Sequence, residues 1–324
     1  MKNLKTKTFL FYFLLFAALA FNPVFAQYQQ YPQQQYPQQT QQNMEQMLLW
    51  QDQQIMQTYM SKYVTDYRYY GFIDSIMKKM NPYLPSIYGN KPYIWLNGGC
   101  FSSNMGFNAM TGYRIIIFDS VLLDGLKRLA DAVAVYGNLN NDYSRQLARA
   151  IVDLMKAHSQ GNINPNKSNL DNPFNLPTLT NLTPEQKAKS EKLFTNMAAS
   201  WVAHEASHGF LEHIKEKMQI QQTMQSYYQG KYPPEQVEQQ IQYYLNYTLN
   251  PQKEFEADTM GTRLLVKSGY DIDGFVWWLR FADMLEADMI KSTNSQIGAN
   301  ASYMRTHPTG EQRVENIIKT KLSM

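Results

Sequence analysis

Cysteine is almost absent from this chain, which has only Cys100 in 324 residues. Internal disulfide bonds are therefore excluded, and the fold must depend on a hydrophobic core, for which about 300 residues are sufficient. We expect the Cys100 thiol either to be buried as a small apolar group or to bridge to another chain. No cysteine directly follows residue 26, which argues against a lipid-anchored product.

Long apolar runs are lacking beyond the first 26 residues. That segment has three lysines, an apolar run over residues 9–21 and a terminal small residue, Ala26, a pattern typical of a secretory signal peptide. An uncleaved anchor is the alternative, although the run is short for a membrane span. We therefore predict an exported protein, periplasmic or secreted, with no stable membrane span after signal removal.

Excess charge of one sign is also lacking. The formal net charge is +3, and removal of the first 26 residues takes away three lysines and no acid, which leaves 0. This balance does not favour nucleic acid as a partner.

The composition changes along the chain. Residues 27–43 are almost wholly Gln, Tyr and Pro, and we predict a disordered tether there, with partner binding by its tyrosines as the alternative. Residues 44–324 are assigned to one domain with helical inserts near residues 127–189 and 218–251. At its start, residues 44–80 have the apolar spacing of one or two amphipathic helices that pack on the rest of the domain.

The pattern of apolar residues and breakers predicts a mainly α (α+β) fold with a small β-sheet. A helix should start at Thr183, where Thr-Pro-Glu-Gln is a capping box with proline at the first helical position, and should run past Ile214. The predicted strands are residues 93–96, 105–108 and 113–118. The other predicted helices are residues 122–135, 144–158, 252–268, 274–290 and 308–321, with a helical hairpin over residues 218–242.

The most informative motif is His204-Glu205-Ala206-Ser207-His208. Residues four apart lie on one face of a helix, so both imidazoles can bind one metal ion while Glu205 faces the same cavity. This pattern is typical of a zinc site with a general base beside it. The chain has only five histidines, so a chance occurrence of the motif is rare.

A catalytic zinc site needs a third protein ligand and an open position for water. His213 is one residue short of the spacing by which some zinc proteases add a third histidine, so we expect a surface or packing role for it. Glu254 and Asp258 are four apart, and one can bind the metal while the other accepts a hydrogen bond from a ligand histidine. Glu256 should project elsewhere as a solvated or ion-paired carboxylate.

A third motif is Thr306-His307-Pro308, with Arg313 about two helical turns further on. His307 and Arg313 could reach the same pocket and stabilise the oxyanion that forms when water attacks a carbonyl group. The alternative is that His307 takes the open zinc position in a resting state and leaves before substrate binds.

Together these motifs resemble the HtpX and CAAX-prenyl-protease family of gluzincin zinc metalloendopeptidases, in its soluble exported branch. The similar stretches are His-Glu-x-x-His at 204–208, Glu-x-x-Ala-Asp at 254–258 and Thr-His-Pro-x-x-x-x-Arg at 306–313, and the resemblance covers about residues 98–319. The chain departs from the family in its two inserts and in lacking multiple membrane spans.

The resemblance implies a gluzincin fold, in which a small sheet or hairpin packs on the metal-bearing helices. It implies that one Zn²⁺ is bound by His204, His208 and Glu254. It also implies that Glu205 is the base, that Asp258 supports a ligand, and that His307 and Arg313 face the cleft.

We therefore predict a zinc metalloendopeptidase that hydrolyses peptide bonds in exported or misfolded proteins, with water activated by Glu205. Polypeptide substrates should lie extended beside the strand at residues 113–118. Two alternatives stay open. One is an exported zinc-containing chaperone or adaptor without turnover, and the other is a zinc hydrolase of esters or cell-wall amides.

Overall fold

The computed structural model describes residues 41–84, 96–102, 109–159, 172–292 and 307–324. These residues form a mainly helical fold with one small sheet, which confirms the predicted fold class. Within them the α-helices are α1 (Gln41–Lys62), α2 (Tyr67–Met80), α3 (Ser120–Tyr136), α4 (Asp142–Ser159), α5 (Pro184–Phe210), α6 (His213–Tyr228), α7 (Pro234–Tyr243), α8 (Asn250–Lys267), α9 (Asp273–Ser292) and α10 (Gly310–Leu322). A 3₁₀ turn (Asn81–Tyr83) follows α2, and a π-helical segment (Tyr244–Leu249) joins α7 to α8.

The sheet of the described residues has the strand order β1-β2-β4-β3. The strands are β1 (Val64–Thr65), β2 (Leu96–Ser102), β3 (Ala109–Thr111) and β4 (Ile115–Asp119). Strands β2 and β4 are parallel, and the two other pairs are antiparallel. Strand β4 is therefore interior, whereas β3 has a single neighbour among the described strands and lies at an edge.

The extent of one predicted strand and the expected position of substrate beside another need correction. The strand predicted to end at residue 96 is wrong in extent, because β2 continues through Gly99, which has φ 118° beside a register shift in the pairing with β4. A bulge with a glycine lets a strand continue where a Cβ would be strained. The strand at residues 113–118 is confirmed with a small shift, but substrate cannot pair with it because both of its edges are occupied. Residues 93–95 and 105–108 lie outside the described part.

Helix α5 is the central element of the fold, since it packs on α3, α8 and α9. Its capping box is confirmed: the Gln186 N–H donates to the Thr183 hydroxyl, and the Thr183 N–H donates to Gln186 Oε1. The prediction that it runs past Ile214 is wrong. The helix ends at Phe210, and Glu212, at φ 57°, takes the left-handed conformation that separates α5 from α6.

Close contact with α5 places the later helices. A Cβ on Gly261 of α8 would lie 3.2 Å from the backbone nitrogen of His204, so α8 crosses α5 at the histidine motif. A Cβ on Gly274, at the start of α9, would come within 2.3 Å of the Asn196 backbone. Only glycine allows the close approach at position 274.

Cys100 is fully buried, which confirms the first of its two predicted environments. No helix within the described ranges combines the length and apolar character that crossing a membrane requires.

The predicted N-terminal helices α1 and α2 do pack on the rest of the domain. Leu48 of α1 lies in a small core with Tyr113, Ile214 and Met218. The Asp52 carboxylate accepts hydrogen bonds of 2.7 Å from the backbone N–H groups of Tyr113 and Arg114. Helix α1 thus holds the turn between β3 and β4, next to the edge strand.

Asp52 should make folding stability dependent on pH. Burial raises the pKa of Asp52 to about 6, although the hydrogen bonds from Arg114 and Tyr113 oppose the rise. Because the folded pKa exceeds the unfolded one, the contribution of Asp52 to stability is complete below about pH 4 and is lost as the pH rises through 6.

Two units of pKa correspond to about 3 kcal/mol. Between pH 4 and 7 the unfolding free energy of the wild type should therefore fall by about 3 kcal/mol relative to Asp52→Asn in denaturant titrations. Parallel pH curves for the two proteins would contradict this, and exposed Asp153→Asn is the control.

Candidate active site

Three side chains from two helices converge where α8 crosses α5. The Nε2 atoms of His204 and His208 are 3.1 Å apart, and they lie 3.4 and 3.5 Å from the two carboxylate oxygens of Glu254. A tetrahedral zinc ion with bonds of about 2.0–2.1 Å separates its ligand atoms by about 3.4 Å. Two imidazoles and one carboxylate at these separations are a donor set that fits zinc, so these three residues could hold a metal ion.

His307 lies at the same centre, just before α10. Its Nδ1 atom is 3.4 Å from Glu254 Oε1 but lacks hydrogen-bond geometry, and neither ring nitrogen has a hydrogen-bond partner within the described residues. Both nitrogens are buried, and buried polar atoms without partners are unusual. An imidazole in this state suits either of its predicted roles, as a donor to substrate or as an additional metal ligand.

Asp258 and Arg313 support the first histidine. Asp258 is fully buried and accepts two hydrogen bonds of 2.8 Å from the Arg313 guanidinium. Its Oδ1 atom also lies 3.0 Å from His204 Nδ1. A hydrogen on Nδ1 that donates to Asp258 leaves Nε2 of His204 free for a metal. Arg313 also lies 3.2 Å from Glu254 Oε2, so it contacts both of the α8 carboxylates that face the histidine pair.

The two histidines of the motif have opposite pKa shifts. Burial lowers the pKa of His204, but hydrogen bonds to Asp258 and Glu254 outweigh it and raise the pKa to about 9. Burial lowers the pKa of His208 to about 4. Burial also disfavours ionised Glu254, yet His307 and Arg313 hold its pKa well below the usual range. These directions favour an ionised carboxylate at Glu254 and a neutral imidazole at His208, and a histidine must be neutral at the nitrogen that binds a metal.

Glu205 faces the same cavity from α5, and Thr111 of the edge strand holds it. The Thr111 hydroxyl donates to Glu205 Oε2 at 2.5 Å. Burial raises the pKa of Glu205. A carboxylate whose pKa moves towards neutrality is a better general base and general acid near pH 7. Thr111 was not identified from the sequence, because it lies 94 residues before Glu205 and no local pattern links the two residues.

His213 was expected at a surface or packing position, and a surface position is wrong. Its side chain is 1% exposed and its Nδ1 atom lies 3.0 Å from Nδ1 of His208. In a continuous helix a residue five positions on would point about 140° away, but the left-handed Glu212 turns α6 back towards the site. Glu256 is ion-paired with Lys253, as one of its predicted alternatives required, and its Oε2 atom also lies 3.1 Å from Nε2 of His213.

The site opens into a cavity of about 230 Å³. Its lining includes the metal-group residues, Glu205 and Thr111. An apolar wall of the cavity comes from α5 and α9, with the indole rings of Trp201 and Trp278 5.1 Å apart. Its residues are Trp201, Phe275, Trp278, Leu279 and Ala282. The cavity can therefore accept an apolar side chain beside the metal group.

Comparison with known families gives a match in the C-terminal part of the chain. Residues 192–321 match the model described as Peptidase family M48. The matched segment contains most of α5 and continues into α10, so it includes both histidines of the motif, Glu254 and Arg313. No curated protein and no solved structure matches the chain.

Proposed function

We propose that this chain is a zinc-dependent metallopeptidase of family M48, and that it is an endopeptidase acting on extended polypeptides. The match over residues 192–321 supports the family, and M48 peptidases use zinc. The observation that carries the proposal is the cluster of His204, His208 and Glu254 at separations suited to one zinc ion, with Glu205 in the same cavity.

The chemistry divides between the metal and the side chains. When bound, zinc supplies a Lewis acid that polarises a carbonyl group and lowers the pKa of water to about 7. Glu205 takes a proton from the attacking water and returns it to the leaving amine. Thr111 keeps the Glu205 carboxylate in place, and Asp258 with Arg313 fixes the imidazole of His204.

Strand β3 is the proposed docking edge for substrate. It provides Ala109, Met110 and Thr111 to the cavity wall, and it is the outer strand of the sheet over the described residues. An extended peptide can form main-chain hydrogen bonds with such an edge. This mode requires a substrate segment without fixed structure, which supports unfolded or flexible proteins as substrates.

The apolar wall supplies the proposed specificity. A charged substrate side chain placed against Trp201, Phe275 and Trp278 would be buried next to apolar groups, and burying a charge unpaired is costly. A large apolar residue next to the cleaved bond is therefore preferred. Location in the periplasm or outside the cell, with exported or misfolded proteins as substrates, remains part of the proposal and rests on the N-terminal pattern alone.

The proposal is tested by measuring metal content and casein cleavage in one preparation. We expect one zinc per chain, loss of cleavage with a chelator and recovery on adding zinc. Mass spectrometry of the products should place large apolar residues beside the cut bonds. A protein that binds casein but never cuts it would favour the chaperone alternative, and cleavage of esters or cell-wall amides alone would favour another hydrolase.

A further inference from the structure

A row of hydrogen-bonding groups leads away from the candidate metal centre, starting at His208. It consists of His208, His213 and Glu256, and we call it the 208–213–256 relay. The Nδ1 atoms of His208 and His213 are 3.0 Å apart, and His213 Nε2 lies 3.1 Å from Glu256 Oε2. His213 is almost fully buried, so water does not replace these partners.

Only one arrangement of hydrogens lets His208 bind a metal through Nε2. A neutral imidazole carries one hydrogen, so that hydrogen must lie on Nδ1 of His208. Nδ1 of His208 then donates to Nδ1 of His213, which must accept. The hydrogen of His213 consequently lies on Nε2 and donates to the Glu256 carboxylate, which can only accept while ionised.

We propose that His213 and Glu256 are positioning residues that fix the tautomer and the ring orientation of His208, and so strengthen zinc binding. This inference rests on the proposed zinc site. His204 receives the same support directly from Asp258. Within the part of the chain that the structure describes, Nδ1 of His208 contacts His213 and not a carboxylate. Glu256 therefore acts on His208 through one intervening imidazole.

Two helices other than α5 hold His213 and Glu256 in place. His213 is the first residue of α6, which the left-handed Glu212 turns towards the site. Glu256 is on α8 and receives hydrogen bonds of 3.0 Å from Lys253 and 2.8 Å from Gln252. These donors orient the Glu256 carboxylate as an acceptor for His213.

The chain contains a matched pair of carboxylates for the test. Lys253 pairs with both Glu256, at 3.0 Å, and Glu216, at 2.7 Å, and their side chains are 36% and 41% exposed. Glu256→Leu and Glu216→Leu each remove one carboxylate beside the same lysine, but of the two carboxylates only Glu256 is known to contact His213.

Zinc affinity is measured by competition with a chelator. Loss of a group that orients a metal ligand typically weakens affinity by about 10–100-fold. We expect the zinc affinity of Glu256→Leu to be lower than that of wild type by about tenfold. The zinc affinity of Glu216→Leu should stay within about twofold of wild type.

Substitutions of His213 test the middle of the relay. His213→Leu removes the acceptor and should weaken zinc binding by about 10–100-fold. His213→Asn should restore much of it, because its amide oxygen can accept from His208 Nδ1. Nitrogen NMR of histidine-labelled protein without zinc gives a readout that a packing role would not change. The His208 ring should be the Nδ1–H tautomer in wild type and a mixture in His213→Leu.

Each outcome decides between distinct claims. Equal zinc affinities for wild type, Glu256→Leu and Glu216→Leu overturn the relay while leaving the zinc site intact. Equal losses in both Glu variants also overturn it, since only Lys253 is common to them. If His213→Leu does not fold, the Glu256 and Glu216 pair still decides. A wild type that binds no zinc contradicts the proposed function itself.

Discussion

Glu205→Gln is expected to lower casein cleavage by about 10²–10⁴-fold, the usual contribution of a general base. The amide has the shape of the carboxylate and can still accept a hydrogen bond from Thr111, but it cannot take a proton from water. Zinc content should remain at one ion per chain, because Glu205 is outside the three-residue metal group. The measurement is initial cleavage rate together with zinc per chain in the same sample.

Glu191→Gln is the matched control for this substitution, since Glu191 is an exposed glutamate earlier on the same helix. It should cleave casein at the wild-type rate. If Glu205→Gln cleaves at a near-normal rate while Glu191→Gln behaves as expected, Glu205 is not the base. Loss of zinc in Glu205→Gln would instead place this residue among the ligands.

Glu254→Ala is expected to abolish both zinc binding and cleavage. It removes the only carboxylate of the metal group and leaves two imidazoles of one helix. The loss should exceed the roughly 100-fold reached when a group that merely orients a ligand is removed. Zinc affinity is measured by chelator competition, and cleavage is measured at the same free zinc concentration.

Glu315→Ala, which removes an exposed carboxylate from α10, is the control and should retain both properties. Thermal melting of the zinc-free proteins shows whether Glu254→Ala still folds. A folded Glu254→Ala that binds zinc as tightly as wild type would mean that the third ligand lies elsewhere in the chain.

Elements with a local cause were predictable from the sequence. The start of α5 follows from Thr183 and Gln186, whose hydrogen bonds depend only on neighbouring residues. The meeting of His204 and His208 follows from helical spacing, and the structure brings Glu254 and Asp258 to them as the motif order suggested. The catalytic roles of these residues, and those of His307 and Arg313, stay predictions.

Features that depend on tertiary contacts were not predictable. The end of α5 depends on Glu212 taking a left-handed conformation, which costs a non-glycine residue about 1–2 kcal/mol and has no sequence pattern here. That single residue places His213 against His208 and gives Glu256 a buried partner. Thr111 similarly reaches Glu205 only because the sheet packs on α5.

The account depends most directly on where zinc binds, and a crystal of the zinc-loaded protein measured at the zinc absorption edge tests this. We predict one anomalous peak at about 2.0–2.2 Å from Nε2 of His204, Nε2 of His208 and a carboxylate oxygen of Glu254. A zinc peak bound by other residues, or full zinc occupancy with Glu254 beyond bonding distance, would contradict it.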